Sequence, residues 1–319
     1  MQRLELSSVD GIRLDFAVHH CTVEPPLGVV LLVHGITVDM DEGGGMFVRL
    51  AQQLVSQGFD VVRFSFRGHG ASGGTQQGVT IAGECLDLQT AVTAVRERFA
   101  GQRMSIVAAS FGAVSTALSL SRLDDLYRLV LWNPVLDLRR TFLVPELAWG
   151  EENFGAIGQK YLADNGFLLV DGEFQLGRVL FTEFARYQPL DDFHAADVPT
   201  LIVHGDHDTA VSYDVAAQAA RSRSHTTLQT IAGSDHGFDS RAREDQAIRR
   251  PLTGCSNSRC CDGGEALATV CSDPTRRIRD RRGALHARVS EGIPYRDAQR
   301  GQHTIGEPVV IGDRSLLFN

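Results

Sequence analysis

The sequence predicts an α/β protein with a mostly parallel central sheet and helices on both faces of that sheet. Short apolar runs, rich in β-branched residues, alternate with longer stretches of helical spacing from residue 28 to about residue 250. The runs are nearly all apolar, which is typical of parallel strands covered on both faces. A chain of 319 residues, 43% hydrophobic and 22% charged, is long enough to bury such a core.

The predicted elements follow one another in a regular order. An antiparallel hairpin, with its turn at residues 9–11, precedes the parallel strands. Strands are predicted over residues 28–34, 61–66, 105–109, 128–133, 200–205 and 226–231. Helices are predicted over residues 46–58, 80–99, 110–121, 212–222 and 239–250.

Two stretches interrupt the alternation. Residues 137–190 are rich in aromatic side chains and lie where a short crossover would suffice, so we interpret them as an inserted lid in a domain of residues 1–250. Residues 251–319 are rich in arginine, glycine and serine without a sustained period, which predicts a disordered or loosely docked extension. The four cysteines of this extension lack the paired spacing of a zinc site, and we expect no metal.

Composition narrows the class of protein. A formal net charge of −8 argues against binding to nucleic acid or to an anionic membrane surface. The longest apolar run, residues 27–33, is too short to span a bilayer, and the amino terminus does not resemble an export signal. The few cysteines do not form a disulfide framework. We therefore expect a cytoplasmic protein.

The stretch "SIVAASFGAV" places Ser110 where a buried strand runs into a helix. A nucleophilic serine at such a junction needs small residues two positions before and after it, and Ala108 and Gly112 meet that requirement. A serine at this place could also serve only as the N-cap of the helix. The motif by itself leaves both readings open.

A catalytic serine needs a base and a carboxylate that orients the base, and both occur downstream. Asp208 in "HGDHDTAV" and His236 in "GSDHGF" each follow a predicted strand. Because parallel strands direct their carboxyl ends to one edge of the sheet, Ser110, Asp208 and His236 are expected to converge there.

Nearby residues offer alternatives to this triad. Asp206 is the rival carboxylate, but it lies closer to the strand and is better placed to brace the loop. Asp235 adjoins His236 and is interpreted as a loop residue. We expect structural hydrogen bonds from His34, His69 and His204.

An oxyanion hole requires two backbone N–H donors that face the developing charge. The N–H of Phe111 follows from the strand-to-helix turn, at the start of the helix. The N–H of Ile36, in the turn after the first parallel strand, is the expected second donor.

The motifs "LLVHGIT", "RFSFRGHGASGG", "AASFGA", "HGDHDTAV" and "GSDHGF", in this order, resemble the α/β-hydrolase superfamily. Within it they are similar to small-lid serine esterases of the cinnamoyl and feruloyl esterase and monoacylglycerol lipase type. The resemblance implies an α/β-hydrolase fold, with Ser110, Asp208 and His236 as catalytic residues and Ile36 and Phe111 as oxyanion donors. One departure is a serine where the family usually has aspartate, at position 65, which affects the bracing of that loop.

The resemblance implies a serine esterase that cleaves a small-molecule carboxylic ester through an acyl-enzyme, without metal or organic cofactor. Trp149, Phe154 and Tyr161 of the insertion are candidates for lining the substrate pocket. An acyl-thioesterase or acyltransferase would use the same triad, and a ligand-binding protein without catalysis is a third alternative. An acidic surface disfavours docking of an acyl-carrier protein, although Arg139 and Arg140 could supply a local basic patch.

Overall fold

A central sheet of eight strands organises the protein, for which a computed structural model describes residues 1–249. The strands are β1 (Gln2–Ser7), β2 (Arg13–His19), β3 (Gly28–Val33), β4 (Phe59–Phe64), β5 (Met104–Ala109), β6 (Arg128–Trp132), β9 (Thr200–Gly205) and β10 (Thr226–Ile231); β7 (Phe167–Val170) and β8 (Phe174–Gly177) form a separate hairpin. The sheet order is β1-β2-β4-β3-β5-β6-β9-β10, parallel from β4 onward. The predicted mostly parallel sheet is confirmed.

Helices cover both faces of this sheet, and others belong to the insertion. In residues 1–249 the helices are α1 (Met46–Ser56), α2 (Ile81–Arg98), α3 (Gly112–Ser119), α4 (Ala148–Phe154), α5 (Ala156–Asn165), α6 (Arg178–Glu183), α7 (Pro189–Ala195), α8 (Tyr213–Arg221) and α9 (Arg241–Ile248). Apolar side chains of α2, α3 and α8 pack on one face, and those of α1 and α9 pack on the other. Both β3 and β5 are buried along their whole length, which explains their predominantly apolar sequences.

The predicted elements differ from the observed ones mainly at their ends. Helix α3 begins at Gly112 and not at residue 110. The reason is the backbone of Ser110, which has a φ of 49° and therefore cannot continue a right-handed helix. The predicted amino-terminal hairpin is observed as the antiparallel pair β1–β2.

The predicted insertion contains a π-helical turn (Arg139–Leu143), α4, α5, the β7–β8 hairpin and α6, and α7 spans its predicted end at residue 190. These elements enclose an apolar cluster of their own, in which Phe142 and Phe184 stack at 4.3 Å and Phe154 is fully buried. The cluster also includes Phe111, so the insertion packs directly against the start of α3.

The predicted carboxyl-terminal extension, residues 251–319, lies outside the described residues. Within residues 1–249, no helix has both the length and the apolar character needed to cross a bilayer.

Candidate active site

Ser110 lies in a sharp turn between β5 and α3. Its backbone N–H donates to the carbonyl of Trp132 at 2.8 Å, and its own carbonyl accepts from Ala113 and Val135. A positive φ in a residue other than glycine is strained and persists where the surroundings fix it. The turn therefore projects the Ser110 side chain beyond the edge of the sheet, which helix capping alone does not require.

Close backbone packing explains the small residues around this turn. A Cβ added at Gly112 would meet the carbonyl oxygen of His34 at 2.4 Å, so only glycine allows α3 to approach β3 this closely. A Cβ at Gly35 would lie 3.0 Å from the Ser110 Cβ. The turn that contains Ser110 and the turn after β3 are therefore in direct contact.

The side chains of Ser110, His236 and Asp208 form one chain of hydrogen bonds. The Ser110 Oγ lies 3.0 Å from His236 Nε2, and His236 Nδ1 lies 2.8 Å from Asp208 Oδ2. Because Asp208 occupies Nδ1 as an acceptor, His236 carries its hydrogen there, and Nε2 is free to accept a proton from the serine. The structure thus brings together the three residues that the sequence singled out.

Asp208 is buried, and four hydrogen bonds hold its carboxylate. Oδ2 accepts from both His236 and His204, and Oδ1 accepts from the N–H groups of Ala210 and Val211. Burial alone would raise the pKa of Asp208, but its two histidine partners outweigh burial and hold the pKa well below its ordinary value. Burial would lower the pKa of His236, yet the Asp208 carboxylate raises it above the ordinary histidine value.

Asp206 and Asp235, the alternative carboxylates, hydrogen-bond loop residues and not the imidazole of His236. Asp206 Oδ1 accepts from the N–H of Gly233 at 2.6 Å. Asp235 accepts from the N–H and the hydroxyl of Thr209 and from the N–H of His236. Both residues thus tie the loop that carries Asp208 to the loop that carries His236, as the sequence predicted for Asp206.

The turn after β3, residues 34–37, is here called the oxyanion turn. The Phe66 N–H donates to His34 Nε2 at 2.9 Å, so the hydrogen of this buried ring is on Nδ1, which donates to the Gly35 carbonyl at 2.7 Å. Burial keeps the pKa of His34 well below its ordinary value and the ring neutral. Because C=O and N–H point in opposite directions in a trans peptide, the Ile36 N–H points away from His34.

The two expected oxyanion donors are unused among the residues that the structure describes. Within residues 1–249, no acceptor takes a hydrogen bond from the N–H of Ile36 or of Phe111. Both residues adjoin the serine: Phe111 follows it, and Gly35 before Ile36 contacts it. The two N–H groups are therefore available to a ligand at Ser110.

His69 and Ser65, two residues of the predicted motifs outside the triad, have structural partners. His69 Nδ1 hydrogen-bonds the Arg67 carbonyl, and its ring stacks on Phe174 at 5.0 Å. Ser65 Oγ accepts from the Met40 N–H, and the Ser65 carbonyl accepts from the hydroxyl of Ser72. The serine at position 65 therefore braces its loop even though the family usually has an aspartate there.

A cavity of about 200 Å³ opens above Ser110 and His236. Its walls are largely apolar and aromatic: Ile36, Val38, Met46, Trp132, Val135, Phe142, Trp149, Ala210, Val211 and Phe238. Of the three predicted pocket residues, Trp149 lines this cavity, and its Nε1 donates to Asp171 at 2.7 Å.

The other two pocket predictions need correction. Phe154 is 0% exposed and packs behind Phe142 and Trp149, which separate it from the cavity. Tyr161 is 41% exposed and packs edge-on against Phe167, away from the cavity walls. Aromatic composition alone did not distinguish residues that line the cavity from those that support it.

Glu42 is a cavity residue that the sequence analysis missed. Its carboxylate Oε2 accepts from the Gly35 N–H at 2.9 Å, and the residue lines the cavity together with Ser110 and His236. The only sequence signal was an acidic residue between the oxyanion turn and the glycines that follow. Within residues 1–249, no group of three or more histidine, cysteine, aspartate or glutamate side chains is arranged to hold a metal ion.

Comparison with known proteins agrees with this architecture. Residues 24–168 match the family described as "Serine aminopeptidase, S33". The structure resembles Est1E from Butyrivibrio proteoclasticus, solved with ferulic acid, with a TM-score of 0.65 and 21% identity over 77% of this chain and 96% of that one. The chain has the α/β-hydrolase fold. No curated protein sequence matches this chain.

Two further solved structures share the hydrolase fold. The Pyrococcus furiosus esterase Pf2001 has a TM-score of 0.58 and 18% identity over 77% of this chain and 87% of that one. The mouse alpha/beta hydrolase domain-containing protein 10 has a TM-score of 0.59 and 17% identity over 78% of this chain and 96% of that one. The α/β-hydrolase fold that the motifs imply is confirmed. The predicted class of serine hydrolase agrees with the family model that residues 24–168 match.

Proposed function

We propose that the protein is a serine carboxylesterase that cleaves small-molecule esters through an acyl-enzyme. The observation that carries this proposal is the continuous hydrogen-bonded relay from Ser110 through His236 to Asp208 at an apolar cavity. Such a relay activates a hydroxyl that is otherwise a weak nucleophile. The match to a serine-hydrolase family and the fold shared with two esterases support the same reaction class.

The proposed reaction proceeds in two halves at the same atoms. Ser110 Oγ attacks the ester carbonyl carbon while His236 Nε2 takes its proton, and the carbonyl electrons move to the oxygen that faces the Ile36 and Phe111 N–H groups. The carbonyl re-forms, the C–O bond to the alcohol breaks, and protonated His236 returns its proton to the departing alkoxide. Water, deprotonated by His236, then attacks the carbonyl carbon of the acyl-enzyme. The bond from that carbon to Ser110 Oγ breaks, His236 returns the proton to Ser110 Oγ, and the acid is released.

The cavity walls support an apolar or aromatic acyl group. Phe142 and Trp149 come from the predicted insertion, and Trp132 and Val135 come from the segment after β6. A mostly apolar pocket with few polar groups binds through burial of apolar surface. We propose that the insertion acts as the lid of this site.

A substrate panel tests the proposed reaction. We expect hydrolysis of p-nitrophenyl esters of short and aromatic acids and of hydroxycinnamate esters, measured as kcat/KM. Acyl-thioesters of the same acids serve as the comparison. A preference of 100-fold or more for the thioesters would replace the esterase by a thioesterase, since a ratio of that size is about 2.7 kcal/mol in transition-state binding. Failure of a fluorophosphonate probe to label the native protein would contradict catalysis by the serine.

The pH dependence of activity follows from His236. The ring must be neutral to accept the serine proton, and the Asp208 carboxylate raises its pKa above the ordinary value of 6.5. Activity is therefore lost as pH falls through the raised pKa. We expect kcat/KM to rise with pH with a midpoint above 6.5. A midpoint at or below 6.5 would contradict the raised pKa, and the absence of any acid limb would contradict the role of His236 as the base.

A further inference from the structure

Glu42 lies in the loop between β3 and α1 and reaches back to the oxyanion turn. Its carboxylate accepts from the N–H of Gly35 at 2.9 Å, and the nearby N–H of Gly43 helps to lower its pKa. The hydrogen bond to Gly35 fixes the peptide unit between His34 and Gly35. His34 Nδ1 fixes the next peptide unit by donating to the Gly35 carbonyl. The peptide units on both sides of Gly35 are thus held by side chains.

The backbone of Glu42 is itself strained. Its φ of 58° and ψ of 164° lie in a region that is nearly confined to glycine. The next three residues are all glycines, yet the chain places a glutamate in this conformation. Strain of this kind persists where other contacts fix it. The backbone of Glu42 hydrogen-bonds Asp39 and Gly45, and its carboxylate hydrogen-bonds the oxyanion turn.

The carboxylate also faces the catalytic base. Burial raises the pKa of Glu42, and the Asp39 carboxylate raises it further. The N–H groups of Gly35 and Gly43 and the charge of His236 lower the pKa of Glu42. The charges that act on His236 are Asp208, Glu42 and Asp235, and all three carboxylates favour its protonated form. Glu42 lines the same cavity as His236, and its carboxylate adds to the negative charge that His236 meets there.

We propose that Glu42 is a positioning residue that holds the oxyanion turn, so that the Ile36 N–H stays directed at Ser110, and that its charge stabilises protonated His236. This inference rests on the proposed function of the triad. It assigns a role to a carboxylate that takes no part in the proton relay. Loss of the side chain frees the Gly35 N–H and lets the strained loop relax, and the oxyanion donor then loses its direction.

The test compares Glu42→Ala with Glu42→Gln. The amide oxygen of glutamine still accepts from the Gly35 N–H, but the charge is gone. We expect Glu42→Ala to lower kcat about tenfold or more, since loss of a whole oxyanion donor costs about 100- to 1,000-fold, with KM little changed. Glu42→Gln should restore kcat to within about threefold of the wild type, one hydrogen bond being retained. In Glu42→Gln the acid limb of the kcat/KM profile should move to lower pH.

A charge control and a labelling assay make the outcomes distinct. Glu97→Gln removes the same charge from an exposed position on α2 and should change neither kcat nor the acid limb. An unchanged kcat in Glu42→Ala, a loss in Glu42→Gln as deep as in Glu42→Ala, or an unshifted acid limb overturns the inference. Fluorophosphonate labelling is followed in parallel, with thermal unfolding to establish that each variant is folded. Absent labelling of the wild type overturns the proposed function and this inference together, whereas wild-type labelling rates in Glu42→Ala overturn the inference alone.

Discussion

Replacement of Ser110 by alanine is expected to reduce kcat/KM on p-nitrophenyl esters by about 10⁴- to 10⁶-fold, as in other triad knock-outs. The variant lacks the oxygen that lies 3.0 Å from His236 Nε2, so no acyl-enzyme forms there. The remaining rate would come from the cavity and the oxyanion donors acting on water. Initial rates of purified variant and wild type, with active-site titration by a fluorophosphonate, measure the effect.

Ser115→Ala is a matched control on the same helix. The Ser115 hydroxyl is buried and only reaches the Gly112 carbonyl at 3.4 Å, so its loss should leave activity within a few-fold of the wild type. A Ser110→Ala variant that keeps more than about one part in 100 of the wild-type rate, or still forms a fluorophosphonate adduct, would exclude Ser110 as the nucleophile.

Replacement of Asp208 by asparagine is expected to lower kcat by about 10⁴-fold, the size of effect known for the same change in a serine-protease triad. The asparagine oxygen can keep the hydrogen bonds from Ala210 and Val211. Its NH₂ group then faces His236 Nδ1 and His204 Nε2, and favours a His236 ring with its hydrogen on Nε2. That ring cannot take a proton from Ser110.

Asp206→Asn controls for the loss of charge in the same loop. Its side-chain oxygen can still accept from the Gly233 N–H, so we expect nearly unchanged kcat. Rates and thermal unfolding are measured for both variants at neutral pH. The Asp208 assignment would be wrong if both variants retained wild-type activity, or if Asp206→Asn alone lost it.

Much of the fold followed from periodicity because the parallel strands are buried on both faces. The strand β5 is apolar for this reason, and its end could be found from the small residues around Ser110. Asp208 and His236 could be assigned because parallel strands β9 and β10 end at one edge and carry polar loops there. The hydrogen-bond geometry among the three residues depends on loop conformations and required the structure.

The features that escaped prediction depend on side-chain direction in irregular backbone. Phe154 and Tyr161 belong to the same aromatic-rich segment as Trp149, and periodicity does not tell which of them faces the cavity. Glu42 acts on the oxyanion turn from seven residues away because its loop folds back with a positive φ. An acidic residue in a glycine-rich loop usually indicates a solvated turn, so its sequence context favoured no contact with the site.

The hydrogen bonds of Asp206 and Asp235 have a further consequence for this protein. They join the segments that bear Asp208 and His236 of the proposed triad, and each aspartate accepts from donors of the opposite segment. Local opening of one segment therefore breaks the hydrogen bonds that hold the other segment. The amide protons of both segments should exchange with solvent in concert. Transplanting either segment by itself into a related scaffold would leave its anchoring aspartate without a partner, so a functional graft has to carry both.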